Sequence, residues 1–358
     1  MTAGVSREGA ARTARLFRDQ AGACERLGSP MYAELLGRLA DDLEAGGVTC
    51  TVLAGHEDDP CPSGLGLRLL GSVHRLVLER RASGLAPFYP SVGGTWEPAA
   101  GWRAFEALLG QEPDAVREWL DRPPQTNEAG RAAALVGGLL RLGERYRLPV
   151  RLLEIGSSGG LNLRADRFAY EMDGAVVQGP ADSPLRLVDP WRGTPLEPWP
   201  DLQVAERLGS DPMPVDVGTT EGRLLLTAYV WPDQHERHER LRQAFAVAAA
   251  HPVEVRRLDA ASFVRDVALV DGTTTVLWHS VMWQYLGTQE QAEVTATLDR
   301  LGAAATESAP FAHLFAEPTR RTPGAADHEF LVVLRVWPGG DRRILGTTVG
   351  HGLPTTWE

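Results

Sequence analysis

The stretch Val150-Arg-Leu-Leu-Glu-Ile-Gly-Ser-Ser-Gly-Gly-Leu-Asn-Leu163 carries the clearest structural signal in this sequence. A mostly apolar run stops abruptly in a loop with three glycines. This is how a buried parallel strand passes into a helix in a nucleotide-binding α/β unit. Because glycine has no Cβ, Gly156, Gly159 and Gly160 permit positive φ and allow a ligand to approach the backbone closely.

The spacing of the glycines in this loop excludes two common nucleotide-binding motifs. Gly156-x-x-Gly159-Gly160 is neither the Gly-x-Gly-x-x-Gly of dinucleotide-binding folds nor a Walker loop with its Lys-Ser/Thr pair. Glu154, two residues before the first glycine, suits a cationic or hydroxyl-bearing ligand better than a pyrophosphate. Glu/Asp-x-Gly-x-x-x-Gly is the pattern of the first motif in class I S-adenosylmethionine (SAM) methyltransferases. An ordinary strand-turn-helix joint is the alternative interpretation.

Composition limits the classes of protein to consider. The chain has 358 residues, of which 43% are hydrophobic and 23% charged, and this length allows about two domains. The net charge of −11 and pI near 5.4 argue against nucleic acid as a partner, because phosphate binding relies on clustered Lys and Arg. Cys24, Cys50 and Cys61 are scattered without Cys-x-x-Cys pairing, which indicates a reducing compartment and no structural zinc.

Neither a signal peptide nor a membrane span is predicted. The N-terminal residues lack an apolar signal core, and no window approaches 18 apolar residues. We therefore expect a cytoplasmic protein that does not associate with membranes; the sequence does not predict its oligomeric state.

The first part of the chain, residues 1–147, is predicted to be a helical domain. Apolar residues recur at helical spacing from residue 8, and Ser29-Pro30 starts a second helix. Thr126 is a candidate cap for an Ala/Leu/Gly-rich helix that runs to Tyr146. Further helices are expected at 65–81, 99–110 and 113–121.

The second part, residues 148–358, alternates between strand and helix patterns. It is predicted to be an α/β domain with a Rossmann-like class I methyltransferase sheet, mostly parallel, with one antiparallel strand from a C-terminal hairpin. Residues 169–200 are expected to form a hairpin insertion. The predicted strands lie at 150–155, 202–208, 253–258, 274–279 and 311–317, and the hairpin at 330–337 and 343–349.

Nearly end to end, the chain resembles the family catalogued as domain of unknown function 2332. The resemblance rests on several separate stretches, which together are highly specific for that family. It supports the α/β fold with a SAM-methyltransferase-like core and implies no substrate, since the family carries no firm activity. The stretches are Leu53–Pro60, Tyr89–Gly94, Pro124–Glu128, Leu153–Asn162, Tyr229–Gln234, His279–Tyr285 and the His351-Gly-x-Pro ending.

Acidic residues at the ends of the predicted strands are candidate contacts for SAM, since ligands of such sheets bind outside the carboxyl ends of the strands. Asp211 is predicted to bind the ribose hydroxyls and Asp259 the adenine amino group; helix capping is the alternative for both. Asn127 and Arg131 are predicted to meet the SAM carboxylate at a helix N-terminus. The glycine loop contributes Glu154, Gly156, Ser158, Gly160 and Asn162.

The segment from Trp278 to Tyr285 lies where class I methyltransferases have their fourth motif. His279 is predicted to be a general base, since its ordinary pKa is near neutrality. Trp283 and Tyr285 are predicted to wall the sulfonium, with Tyr285 in the catalytic set, and Gln284 to contact substrate. The alternative is core packing, which we expect for Trp278 and Met282.

A second polar and aromatic segment, Tyr229–Arg237, is broken by Pro232. Asp233 is predicted to be catalytic and Gln234 to bind substrate, together with Tyr229 and Trp231; a capped helix start at Asp233 is the alternative.

His56 is assigned to substrate binding from its loop. A metal site is disfavoured because the loop lacks i, i+4 ligand spacing; the residues considered for it are His56, Glu57, Asp58, Asp59 and His74.

Together these residues predict a SAM-dependent methyltransferase that acts on a small molecule, with the helical domain as the lid of one enclosed pocket. Another SAM- or nucleotide-using enzyme on the same fold is one alternative. A ligand-binding protein without turnover is the other.

Overall fold

The computed structural model describes residues 6–59, 63–322 and 324–358, so Cys61 lies outside the described residues. The chain forms two compact units, Met1–Thr126 with Arg223–Glu239, and Asn127–Gly222 with Arg240–Glu358. The boundary predicted at 147/148 therefore differs from this division. The helix before the first strand belongs with the sheet because its glycines admit side chains of the sheet: Gly137 faces Trp357 and Gly138 faces Leu314.

The first unit is helical, as its periodicity predicts. Ser6 and Ser29 cap the first two helices, accepting from the backbone N–H groups of Gly9 and Tyr32, and Gly46 ends the second helix at φ 73°. The core of the unit is built from their apolar faces. The helices up to residue 126 are α1 (Arg7–Arg26), α2 (Pro30–Ala45), α3 (Val48–Val52), α4 (Leu65–Leu78), α5 (Pro98–Gln111) and α6 (Pro113–Arg117).

The remaining chain alternates strands and helices. Its elements are α7 (Ala132–Gly143), β1 (Val150–Ile155), β2 (Ala169–Met172), β3 (Ala175–Gln178), β4 (Arg186–Val188), β5 (Trp191–Gly193), β6 (Val204–Asp211), α8 (Thr220–Ala228), α9 (His235–Ala250), β7 (Glu254–Arg257), α10 (Ala260–Arg265), β8 (Thr274–Ser280), α11 (Thr288–Ala304), β9 (Phe311–Thr319), β10 (Glu329–Trp337), β11 (Asp341–Thr347) and β12 (Thr355–Trp357).

Nine strands form one large sheet in the order β5-β12-β11-β10-β9-β8-β1-β6-β7. Strands β7, β6, β1, β8 and β9 are parallel, which confirms the predicted mixed α/β class with a mostly parallel sheet. The C-terminal hairpin β10–β11 is also present. Three strands run against the parallel set, β10, β12 and β5, where one was predicted, because Thr355–Trp357 pairs antiparallel with β11 and brings Trp191–Gly193 in beside it.

The predicted hairpin insertion at 169–200 contains the antiparallel hairpin β2–β3, which forms a small separate sheet with β4 in the order β3-β2-β4, while β5 joins the large sheet. The predicted helix after Thr126 also begins later: a 3₁₀ turn at Ala129–Arg131 precedes α7, with the Glu128 carboxylate accepting from the backbone N–H of Gly130. Among the described helices, none is long and apolar enough to span a membrane.

The two faces of the large sheet have different neighbours. In β1 and β8, Glu154 is paired with Trp278, and side chains alternate between faces along a strand. Glu154, Trp278 and Leu314 therefore lie on one face, which α7 covers at Gly138. Leu277 lies on the other face, in the apolar cluster that includes Phe263 and Leu298 of α10 and α11.

Candidate functional site

Strand β1 marks the point where the order of the parallel sheet reverses. The chain continues from β1 outward to β6 and β7 on one side, and later to β8 and β9 on the other. Crossover connections leave a crevice at such a point, and ligands of open α/β sheets bind there, outside the carboxyl ends of the strands. By this rule the crevice is expected between the residues that follow Ile155 and those that follow Ser280.

The glycine loop after β1 has three residues in the left-handed region: Gly156 at φ 68°, Ser158 at φ 52° and Gly160 at φ 66°. At Gly156 a Cβ would lie 2.8 Å from the Cβ of Met282, so only glycine fits without displacement. Ser158 adopts this conformation although it carries a side chain, which is uncommon.

Most of the donors in this loop are used to hold its own shape. The backbone N–H groups of Ser157 and Gly160 donate to Ser210 and Ser157 carbonyls, at 3.0 and 2.7 Å. That of Ser158 donates to Asp211 Oδ2 at 2.9 Å, and that of Leu161 to Asn127 Oδ1 at 2.9 Å. A phosphate cradle requires several such groups to point at the ligand. Most N–H groups of the loop are therefore not available to a phosphate, and the ligand class predicted from Glu154 stays a prediction.

Glu154 is 3% exposed at the end of β1, and its Oε2 has no hydrogen-bond partner among the described residues. Burial raises the pKa of Glu154 to about 8, and the neighbouring Asp211 adds to this shift. Arg131, the indole of Trp278 and Arg164 act in the opposite direction but do not outweigh burial. A buried acceptor with a spare oxygen is a group that a cationic or donor-bearing ligand would satisfy.

Asp211, 7% exposed, ends β6 beside the loop. Its Oδ2 accepts from the backbone N–H of Ser158 and its Oδ1 accepts from that of Met213 at 2.8 Å. Asp211 thus orders the glycine loop from the neighbouring strand. Its assignment to a ribose stays a prediction.

Asp259 is exposed and caps α10, the alternative that the sequence left open. Its Oδ1 accepts from the backbone N–H of Ser262 at 2.7 Å, and this bond is the main cause that lowers the pKa of Asp259.

Replacing Asp259 by alanine separates its two assignments. As a cap, Asp259→Ala lowers the free energy of unfolding by about 1 kcal/mol and leaves ligand affinity unchanged. As an adenine contact, it weakens SAM binding by about 1–3 kcal/mol, the penalty of an unpaired buried donor. From the observed capping bond we expect the first result in paired denaturation and calorimetry experiments. A loss of affinity without a loss of stability would restore the adenine assignment.

Asn127, Glu128 and Arg131 lie just before α7, and each is held by polar contacts. Asn127 binds the loop backbone, while Glu128 pairs with Arg240 at 2.9 Å. Arg131 Nε donates to the Gly350 carbonyl at 3.1 Å, and its charge acts on Glu154. Asn162, 2% exposed, donates to the Glu128 carbonyl. The structure thus places Asn127 and Asn162 at the glycine loop and Arg131 near Glu154; what they bind remains a prediction.

The other side of the crevice contains a strained residue. Val281, directly after β8, has φ 52°, which for a β-branched side chain is a genuine outlier. Its neighbour Met282 packs toward Gly156, as noted above. Strain of this kind persists only where surrounding structure enforces it, and it clusters at functional sites.

His279 lies on the opposite face of the sheet from Glu154, because it is adjacent to Trp278 along β8. It is 2% exposed, its Nδ1 lies 2.8 Å from Glu317 Oε1, and its Nε2 lies 3.0 Å from His313 Nε2. Its ring stacks on Trp283 and Phe315. The predicted role of His279 as a base toward a ligand at the glycine loop stays a prediction. The side chains that contact His279 lie on the face of the sheet opposite to Glu154.

The short 3₁₀ turn Trp283–Tyr285 follows Met282. Gln284 is exposed and Tyr285 is 41% exposed, whereas Trp283 is half-buried against His279. Trp278 and Met282 are buried, as expected for core residues.

The remaining predicted substrate contacts lie in the helical unit. Asp233 caps α2: its Oδ1 accepts from Ser29 Oγ at 2.6 Å and its Oδ2 from the Met31 N–H at 3.0 Å. Gln234 Nε2 donates to the Leu27 carbonyl at 2.7 Å. The sequence did not predict these contacts, in which the segment after Pro232 binds the start of α2, about 200 residues earlier in the chain.

Tyr229 and Trp231, 5% and 6% exposed, pack within the same unit, Tyr229 on Trp119 and Trp231 on Tyr32. His56 lies 3.3 Å from Asp59 and 3.7 Å from Asp121.

The acidic loop at His56 is bound by ion pairs. Asp58 pairs with Arg12 and Asp59 with Arg68, while Glu57 accepts from the Gly55 N–H at 2.6 Å. In the described part of the chain, no three His, Cys, Asp or Glu side chains form a group that fits a metal ion.

Sequence reasoning missed His313 and Glu317, although a signal for them existed. In β9, His313, Phe315 and Glu317 alternate with Ala312, Leu314 and Ala316. Period-two alternation places the first three on one face. The register of β9 against β8 then sets them beside His279.

Comparison with known proteins identifies the family of this chain. No curated protein and no solved structure matches the chain significantly. A family model matches residues 14–357, which is nearly the whole chain, as the quoted stretches predicted. The protein belongs to the family described as "Uncharacterized protein conserved in bacteria (DUF2332)".

Proposed function

We propose that this protein is a SAM-dependent methyltransferase acting on a small molecule, with SAM bound at the crevice beside β1. The observation that carries the proposal is Glu154: a buried carboxyl group with one unpaired oxygen, at the point where the sheet order reverses, followed by a left-handed glycine loop. SAM has a cationic α-ammonium group and ribose hydroxyls, and both need such acceptors.

The order of the strands supports the same proposal. The parallel strands lie in the order β7-β6-β1-β8-β9, and the antiparallel β10 and then β11 follow β9. These strand directions are the ones expected of a class I methyltransferase sheet. The loop also offers little to a phosphate, since most of its N–H groups already donate to acceptors of the protein, which favours SAM over a nucleotide. Methyl transfer chiefly requires that the acceptor lie in line with the sulfonium methyl.

Calorimetric titration with SAM and with S-adenosylhomocysteine tests the proposal directly. We expect affinity in the micromolar range, about −8 kcal/mol. A cation bound at Glu154 favours the ionised carboxylate, so binding at pH 7 should release a proton, and affinity should rise between pH 6 and pH 8 by up to about tenfold per pH unit. Titration in two buffers of different ionisation enthalpy counts that proton. Absence of heat and of a thermal shift with millimolar ligand would refute the proposal.

Replacing Gly156 by valine should abolish this binding. The new side chain meets Met282 at 2.8 Å and must adopt φ 68°, so the loop cannot keep its shape. Gly174→Val is the matched control, because Gly174 has φ 78° but no atom within 4 Å of its built Cβ. Both variants carry backbone strain, and only Gly156→Val should lose affinity for S-adenosylhomocysteine. Equal affinities in the two variants would place the ligand elsewhere.

A further inference from the structure

A cavity of about 320 Å³ opens on the face of the sheet that is opposite to Glu154. Its walls are mostly apolar, from Trp283, Phe315, Leu298 and Pro318, and the two arginines Arg335 and Arg342 also line it. This volume is at the lower end of the range of small-molecule sites, which are typically apolar with few polar groups. No residue of the glycine loop lines it.

A chain of hydrogen bonds leads from a buried carboxyl group into this cavity. Glu317, 4% exposed, accepts at Oε1 from the backbone N–H groups of Met282 and Trp283, at 3.0 and 3.2 Å. An oxygen that accepts from two N–H groups carries no proton, so His279 Nδ1 must be the donor in its 2.8 Å contact with the same atom.

The tautomer of the second histidine follows from the first. When His279 carries one proton, on Nδ1, its Nε2 has a lone pair. His313 Nε2, 3.0 Å away, must therefore be the donor, which leaves the lone pair of His313 on Nδ1. Burial holds the pKa of His313 well below its usual value, and the charge of Arg335 acts in the same direction, so the ring of His313 is neutral at pH 7 and keeps one lone pair.

His313 is half-buried and lines the cavity, and no hydrogen bond to its Nδ1 is found among the described residues. We propose that this cavity is a second small-molecule site, which takes a flat, largely apolar ring bearing one hydroxyl or N–H donor, received by His313 Nδ1. The ring lies against Trp283 and Phe315. The site is independent of the proposed function at β1.

Two probes of equal shape test the site: p-cresol, which has a hydroxyl donor, and toluene, which has none. We expect both to bind the intact chain in calorimetric or saturation-transfer experiments, with p-cresol at least as tight as toluene. His313→Phe keeps the apolar volume but removes the acceptor. In that variant the ratio of the p-cresol to the toluene dissociation constant should rise about tenfold, because the hydroxyl is buried without a partner.

Thr295→Trp provides a second variant, at an exposed position that lines the cavity, so it should block both probes without disturbing the core. Long-range ¹⁵N–¹H spectra add a readout on the intact chain: protonated Nδ1 in His279 and protonated Nε2 in His313. The proposal is overturned if the two probes keep the same ratio in His313→Phe, if Thr295→Trp binds them normally, or if the spectra show the opposite tautomers.

Discussion

Replacing Glu154 by glutamine should raise the free energy of unfolding by about 3 kcal/mol at pH 7. The folded state raises the pKa of Glu154 from 4.5 to about 8, so folding favours the neutral acid. The contribution of Glu154 to stability is therefore full below pH 4.5 and is lost progressively as the pH rises toward 8. Glutamine cannot ionise, so the free energy of unfolding of the variant should not fall for this reason as the pH rises. Denaturant melts at pH 4 and pH 7 give the difference, which should vanish at pH 4.

Glu25→Gln, at an exposed position of α1, is the control and should follow the wild-type pH dependence. If the proposed function is correct, Glu154→Gln also loses SAM affinity, so the more stable protein is the one that cannot bind. A stability difference of equal size at pH 4 and pH 7 would mean that ionisation of Glu154 is not its cause.

Acid should destabilise the protein through a buried pair of histidines in the helical unit. His74 lies in α4, with its Nδ1 3.0 Å from the Ala228 carbonyl and its Nε2 2.7 Å from Ser91 Oγ; its ring meets His238 edge-on at 5.9 Å. Burial lowers the pKa of His74 to about 3 and that of His238 to about 4.

The sign of the effect follows from these shifts. Both histidines fold as neutral rings, whereas the unfolded chain protonates them below pH 6.5, so their stabilisation is full above that value and is lost as the pH falls toward 4. From pH 7 to pH 5 the pair should account for a loss of about 4 kcal/mol in the free energy of unfolding.

Comparing the parent with the double variant His74→Gln/His238→Gln isolates this contribution, because the opposing effect of Glu154 is common to both proteins. The difference in unfolding free energy between them should change by about 4 kcal/mol over this interval. Parallel curves would exclude the pair as the acid-sensitive element.

The central part of the fold was accessible from sequence because local signals and burial agree there. The apolar run at β1 is buried on both faces, as parallel strands are, and its glycine loop ends it sharply. The strands β5 and β12 were not accessible, since Trp191–Gly193 and Thr355–Trp357 are three residues each and depend on long-range pairing, β12 with β11 and β5 with β12. Pattern methods cannot detect a strand whose stability is entirely tertiary.

The candidate site was predicted in part for a related reason. Glu154 and Asp211 are close in space because strand ends meet at one edge of a parallel sheet, which follows from topology alone. Which face a side chain occupies depends on register, and a shift of one residue reverses it. His279 at the end of β8 was therefore predicted at the correct edge of the sheet, while its face, and with it His313 and Glu317, required the structure.

The position of β1 has a consequence for synthesis on the ribosome. Val150 pairs with Val204 on one side and with Thr274 on the other, so its second neighbour is made 124 residues later. At about 5–20 residues per second, that delay is roughly 6–25 s. Throughout this interval a central strand of the sheet has one row of backbone donors and acceptors without its final partner, which makes the nascent chain a client for chaperones and a target for mispairing.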